Sequence, residues 1–91
     1  MEKHKIRNLG EGYFTRRPIS IHVYREYSGW VSYFPEGDFE SKGDNKKEAV
    51  DNIREVILVF YKNLSVERPQ DLGPSLQKKK RILEDLVERI V

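Results

Sequence analysis

The segment from Gly43 to Leu64 constrains this chain more than any other, because it contains a turn, a helix cap and a one-sided apolar helix. Asn45 is a typical N-cap residue, and Glu48 follows three positions later, where its carboxylate can bond the backbone N–H of the cap. Apolar residues then recur at helical spacing: Ala49, Ile53, Val56, Ile57, Phe60 and Leu64. The pattern predicts an amphipathic helix over residues 46–64, with one face on a core.

Strand patterns precede this helix. Residues 19–24 alternate between apolar and polar or aromatic side chains, with the period of two that is typical of a half-buried strand. The pair Ser28-Gly29 predicts a two-residue turn, and residues 30–34 return as a second strand that Pro35 ends. Residues 39–42 predict a short third strand at an edge. Strands and helix together predict an α+β fold, a three-stranded antiparallel sheet packed by one long helix.

The two faces of the predicted hairpin differ in character. The register set by the Ser28-Gly29 turn places Tyr24 opposite Tyr33. One face then carries the side chains that meet the helix: Ile19, Ile21, Val23, Tyr27, Trp30 and Phe34. The other face carries His22, Tyr24, Val31 and Tyr33, which we assign as candidate partner-binding residues because aromatic residues are enriched at binding hot spots. We expect either a partner or the C-terminal helix to cover this face.

The two ends of the chain are less regular. Residues 1–18 contain five Lys or Arg against two Glu and show no clear period, which predicts a flexible basic arm. Residues 65–74 include two prolines and a glycine and predict a linker. Residues 75–91 predict a C-terminal helix, supported by opposite charges spaced four residues apart.

Composition narrows the functional classes. A chain of 91 residues supports one small domain with one core. The absence of cysteine excludes disulfides, thiol nucleophiles and thiolate metal sites. No apolar stretch approaches the roughly 20 residues of a membrane span, and no apolar stretch follows the charged N-terminus as in a secretory signal. These features predict a cytoplasmic protein that is not held in a membrane.

The order of these elements resembles the HicB-like antitoxin family. The resemblance is carried by Trp-Val-Ser-Tyr-Phe-Pro at residues 30–35, by Gly43-Asp44, and by Glu-Ala-x-x-Asn-x-x-Glu at residues 48–55, and it spans about residues 19–64. It implies a β-β-β-α domain, partly similar to ribonuclease H but without its activity. It also implies a partner, a small basic RNA-cleaving toxin of the HicA-like kind, which the module binds and occludes.

This sequence departs from the family pattern in two places. Residues 35–39 lack the Leu-Pro-Gly-Cys-like segment that usually follows the second strand, so the loop that contacts a partner differs. Residues 65–91 supply one clear helix, too little for the DNA-binding helix-turn-helix or ribbon-helix-helix that many members carry.

Two further hypotheses belong to other classes. A nucleic-acid-binding protein would use the arm and a C-terminal cluster of cations to contact phosphates: Arg16, Arg17, Lys78, Lys79, Lys80 and Arg81. An orphaned domain would instead self-associate as a homodimer or a higher oligomer, through exposed strand edges.

No pattern in the sequence predicts catalysis, a metal or a cofactor. The two histidines, His4 and His22, have no partner at helical spacing for a zinc site. Asp38 and Asp44 fall in turns and Asp51 on the wet side of the predicted helix, so they are not placed to converge on two metal ions. No glycine-rich phosphate loop or nucleophile elbow is present. We therefore expect a protein that is not an enzyme.

Overall fold

The computed structural model describes residues 1–90 and has the α+β architecture that the sequence predicts. One antiparallel sheet has the order β1-β2-β3-β4, with strands β1 (Glu2–Gly10), β2 (Tyr13–Glu26), β3 (Gly29–Phe34) and β4 (Phe39–Gly43). The remaining elements are helix α1 (Lys46–Ser65), a 3-10 turn (Pro69–Asp71), helix α2 (Pro74–Leu86) and strand β5 (Val87–Arg89), which pairs with β2. Within residues 1–90, neither helix is long and apolar enough to cross a bilayer.

The predicted flexible arm is wrong, because residues 1–18 form β1 and the first part of β2. β1 runs antiparallel to β2, and its Ile6 and Leu9 are only 4% and 3% exposed within the core. The pairing register shifts twice along β1, first between Ile6 and Asn8. Such irregularities place Ile6 and Leu9 on the same side although they lie three positions apart. The strict alternation that identifies a strand in the sequence is therefore missing.

The predicted register of the β2–β3 hairpin is wrong by two residues. Tyr24 lies opposite Val31 instead of Tyr33, and the connecting loop is Tyr27-Ser28. Because strand side chains alternate with a period of two, a shift of two residues keeps the strand side chains on their predicted faces. Only Tyr27 changes place, since it lies fully exposed in the loop rather than on the core face.

The register shift follows from the position of Gly29, which is the first residue of β3 and not part of the turn. It begins β3 with a φ of +154°, and a Cβ atom there would lie 2.8 Å from the carbonyl oxygen of Gly43. Gly43 is confined in the same way, since a Cβ atom there would lie 2.4 Å from the backbone nitrogen of Ala49. The two glycines let β3, β4 and the start of α1 approach one another closely.

The helix predicted over residues 46–64 is confirmed and extends one residue further. The Asn45 side chain accepts a hydrogen bond of 2.8 Å from the backbone N–H of Glu48. The Glu48 carboxylate reaches back to the backbone N–H of Asp44 at 3.2 Å, one residue before the expected position. The helix packs on the sheet through six buried residues: Ala49, Val50, Ile53, Ile57, Leu58 and Leu64.

The predicted C-terminal helix ends early. α2 begins at Pro74 and stops at Leu86, after which residues 87–89 run as β5 beside the start of β2; Val91 lies outside the described residues. β2 is longer than β3, so residues 13–15 would otherwise leave unpaired backbone groups on that side. Val87 lies opposite Thr15, and both are fully buried. This pairing replaces the last predicted helical turn.

Both helices lie on the same face of the sheet. Leu83 and Leu86 of α2 belong to the same buried cluster as Ile57 and Leu64 of α1. The Cα trace is 17 Å across its shortest dimension, which matches one sheet and one helical layer. Of the two alternatives for the face with His22 and the tyrosines, a partner or the C-terminal helix, the helix is therefore excluded, because α2 lies on the other side of the sheet.

Candidate binding surface on the open face of the sheet

One face of the sheet is free of helices in residues 1–90, and we call it the open face. Residues that pair across an antiparallel sheet point to the same side, so the register identifies its side chains. It carries Lys3, Lys5, Ser20, His22, Tyr24, Glu26, Val31, Tyr33, Glu40 and Lys42. The four predicted partner-binding residues all belong to it.

The centre of the open face is aromatic. His22 and Tyr24 on β2 and Tyr33 on β3 are half-buried, and Tyr33 lies directly opposite His22. Val31 lies opposite Tyr24 and is 1% exposed, although it is not part of the core cluster under the helices. Since no helix reaches this side, neighbouring side chains of the open face cover Val31. Tyr24, Tyr33 and His22 thus offer a contact surface, and Val31 supports it from below.

The Tyr33 ring is fixed at one end by its hydroxyl group. That hydroxyl donates a hydrogen bond of 3.1 Å to a carboxylate oxygen of Asp38. Asp38 occupies the β3–β4 turn with a φ of +54°, and its backbone N–H bonds the Pro35 carbonyl at 3.2 Å. The hydrogen bond to Asp38, followed by desolvation and the negative charges of Asp38 and Glu40, raises the pKa of Tyr33. The hydroxyl therefore remains a neutral donor at physiological pH.

Charge on the open face is divided between its two sides. Lys3 and Lys5 lie on β1, at one edge of the sheet. Glu40 lies on β4 at the opposite edge, next to the turn that holds Asp38. Lys42 also lies on β4, and its ammonium group is 3.7 Å from the carboxylate of Glu26 on β2. A partner would meet cations on the β1 side and both signs of charge on the β4 side, where Lys42 accompanies Glu40.

The two arginines assigned to nucleic-acid binding are bonded to groups within the chain. Arg16 donates to the Asp85 carbonyl at 3.0 Å and to the Glu88 carboxylate at 3.2 Å, which attaches the end of α2 and β5 to β2. Arg17 donates to both carboxylate oxygens of Glu36, at 2.6 and 2.7 Å. Both guanidinium groups are thus already paired within the chain.

Half of the C-terminal cation cluster is also engaged within the chain. The Lys79 ammonium donates to the carbonyls of Gly37 and Asp38 at 2.6 and 2.9 Å, beside the β3–β4 turn. Lys80 is 8% exposed and donates to the Leu64 carbonyl. Only Lys78 and Arg81 lie on the exposed side of α2. Four of the six predicted cations are thus bonded to groups within the chain.

Some residues of the open face are missing from the sequence-based prediction. Lys3 and Lys5 fall within the predicted flexible arm, whereas in the structure they lie on β1, opposite His22 and Ser20. Their spacing of two is the one signal that a strand assignment would have used. Within residues 1–90, no group of three or more His, Asp or Glu side chains is placed to hold a metal ion.

Comparison with known proteins identifies no relative of this chain. No family model matches it, and no match was found among curated proteins or solved structures. The likeness to HicB-like antitoxins therefore depends on the motifs within residues 19–64 alone.

Proposed function

We propose that this chain is a non-enzymatic module that binds a protein partner on the open face of its sheet. The observation that carries the proposal is the position of Tyr24 and Tyr33, half-buried beside His22 on a face that no helix covers in residues 1–90. Tyrosine supplies a large contact area at a low entropic cost, which is why it is enriched at interface hot spots. Binding of this kind requires no catalytic group.

The proposed partner is a small basic RNA-cleaving toxin, the class that the HicB-like resemblance implies. Asp38 and Glu40 support this choice, because they place carboxylates beside Tyr33 where cations of a basic partner can pair with them. Docking over an area that includes these groups would cover the partner's RNA-binding surface. A partner of this class acts in the cytoplasm, and we propose that location for the chain, which also lacks cysteine.

Binding of single-stranded nucleic acid is the second candidate function. Lys3 and Lys5 favour it, because aromatic rings on an open sheet can stack bases while nearby lysines contact phosphates. Asp38 and Glu40 oppose it, since they place negative charge beside Tyr33. The cations first assigned to this function give it little support, because four of the six are held by groups within the chain.

An affinity purification from the native host, with mass spectrometry of the co-eluting proteins, tests the proposed function. We expect the tagged chain to recover a small basic protein at near-equal stoichiometry, and a Tyr24→Ala, Tyr33→Ala double variant to recover at least about tenfold less. A Lys78→Ala, Arg81→Ala variant is the matched control, because it alters exposed cations on α2, and it should recover the same amount.

Three results would contradict protein binding on the open face. The first is equal recovery by the tyrosine variant, provided that its circular dichroism shows an intact fold. The second is recovery of the chain alone from the native host. The third is recovery that a nuclease abolishes and that falls steeply with salt, which would favour the nucleic-acid candidate.

A further inference from the structure

The outer edge of β4 carries backbone groups that no strand within residues 1–90 pairs with. The Lys42 carbonyl accepts a hydrogen bond of 2.7 Å from the Asn52 side chain, so it points away from β3. Orientation alternates along an antiparallel strand, so the backbone groups of Glu40 also point outwards, whereas those of Ser41 point towards β3. Apart from that one carbonyl, the outward N–H and C=O groups face the free edge.

An apolar groove lies beside this edge, on the helix side of the sheet. It has a volume of about 320 Å³ and is lined by Ser41, Asn52, Glu55, Val56, Val59 and Phe60. Val59 is 45% exposed, and Val56 and Phe60 are half-buried. A strand added to β4 would place alternate side chains over these apolar groups and remove them from water.

We propose that a second copy of this chain pairs with β4 in the antiparallel direction, centred on Ser41. In this register Glu40 of each copy lies opposite Lys42 of the other. The N–H of Glu40 then donates to the Lys42 carbonyl of the second copy, and the N–H of Lys42 donates to the Glu40 carbonyl. Both contacts occur twice about the two-fold axis, as an isologous interface requires. The result is one continuous sheet across two chains.

The charges of Glu40 and Lys42 favour this register over the neighbouring symmetric registers. A shift that places Glu40 opposite its own copy, or Lys42 opposite its own copy, brings like charges together, which destabilises a strand pair. The register centred on Ser41 is the symmetric one that matches both residues with opposite charges. The other edge of the sheet is different, because pairing β1 with itself about His4 would place Lys3 opposite Lys5. Edge lysines of this kind are a common protection against strand addition.

Two features of the edge permit close approach of the second copy. Ser41 lies at the centre of the pairing and is small, and it shares the helix side with Ser32, which lies opposite it on β3. The Lys42 carbonyl already accepts from Asn52 but has a second lone pair for the incoming N–H. The grooves of the two copies would meet across the axis, where Val59 of each copy loses exposure.

Sedimentation equilibrium of the full untagged chain tests the pairing. We expect the wild type to form a dimer of twice 10.8 kDa with a dissociation constant in the micromolar range. Glu40→Lys or Lys42→Glu alone should raise that constant by about tenfold or more, since each creates two pairs of like charges. The double variant Glu40→Lys, Lys42→Glu should restore it to within about threefold of the wild type.

Three further variants test the groove and separate this edge from the open face. Val59→Asp should also weaken the dimer by about tenfold, because it places a charge in the groove. Lys3→Glu changes a lysine on the opposite edge and should leave the dissociation constant unchanged. The Tyr24→Ala, Tyr33→Ala variant should remain dimeric even where it no longer recovers a partner. A wild-type chain that stays monomeric at millimolar concentration would overturn the proposal. So would a double charge swap that associates no better than the single variants.

Discussion

Several basic side chains of this protein are bonded to groups within the chain instead of lying free at the surface. Lys80 belongs to a run of four basic residues that reads as a phosphate-binding cluster, yet its ammonium group lies 3.0 Å from the Leu64 carbonyl and 3.1 Å from Glu84. Leu64 is in the last turn of α1, where carbonyls have no partner within the helix. Lys80 therefore connects the end of α1 to α2.

Replacing Lys80 tests this connection. Lys80→Met retains most of the aliphatic stem but removes one of the donors to the Leu64 carbonyl, which keeps a bond of 3.1 Å from the backbone N–H of Glu67. We expect the free energy of unfolding to fall by about 1 kcal/mol. Lys78→Met, an exposed neighbour in the same cluster, should change it by less than about 0.5 kcal/mol. Urea denaturation of both variants measures the difference. Equal effects of the two substitutions would contradict a structural role for Lys80.

At the scale of secondary-structure elements, the sequence predicts those that contacts between nearby residues define. It misses those that depend on pairing with a distant part of the chain. The sequence alone predicts α1 well, because Asn45 and Glu48, which cap the helix, are only three positions apart. A contact between such close neighbours can be recognised in the sequence. β5 depends on pairing with β2, more than seventy residues earlier in the chain, and nothing in its three residues marks a strand. The open face was identified even though the register was wrong, because a shift of two residues preserves the faces. That α2 leaves it uncovered depends on packing that no local pattern specifies.

Two adjacent arginines allow a test of how β5 is held. Arg16→Ala removes the bonds to Asp85 and Glu88, so the backbone amides of residues 87–90 should exchange hydrogen for deuterium at least about tenfold faster. Arg17→Ala removes only the pair with Glu36 and should leave those amides unchanged. Hydrogen exchange followed by mass spectrometry measures both. Unchanged exchange in the Arg16 variant would show that strand pairing alone holds β5.

The whole molecule has one core to which both ends of the chain contribute. Ile6 from β1 and Val87 from β5 belong to the same buried cluster as Ile53 of α1. The sequence resemblance covers residues 19–64, but that segment alone would leave out buried side chains from both ends. The high charge of residues 1–18 conceals this contribution, because charged residues surround the few apolar ones.

A substitution in β1 tests whether the N-terminal segment is part of the folding unit. Ile6→Ala should lower the free energy of unfolding by about 2–4 kcal/mol, the range for removal of a fully buried aliphatic side chain. Lys5→Ala, next to it on the open face, should cost less than about 0.5 kcal/mol. Guanidinium denaturation followed by Trp30 fluorescence gives both values. A loss below about 0.5 kcal/mol for Ile6→Ala would mean that β1 detaches without unfolding the core.

The pairing of β2 also determines how this protein would respond to mechanical force. β1 begins opposite Val23, near the end of β2, whereas β5 ends opposite Tyr13, at its start. A pull on residues 1 and 90 is therefore directed along β2 in opposite directions, across hydrogen bonds that lie perpendicular to the strands. The bonds between β1 and β2 would bear that load together in shear instead of opening one after another. The short pairing of β5 with β2 lies in the same path and would yield first.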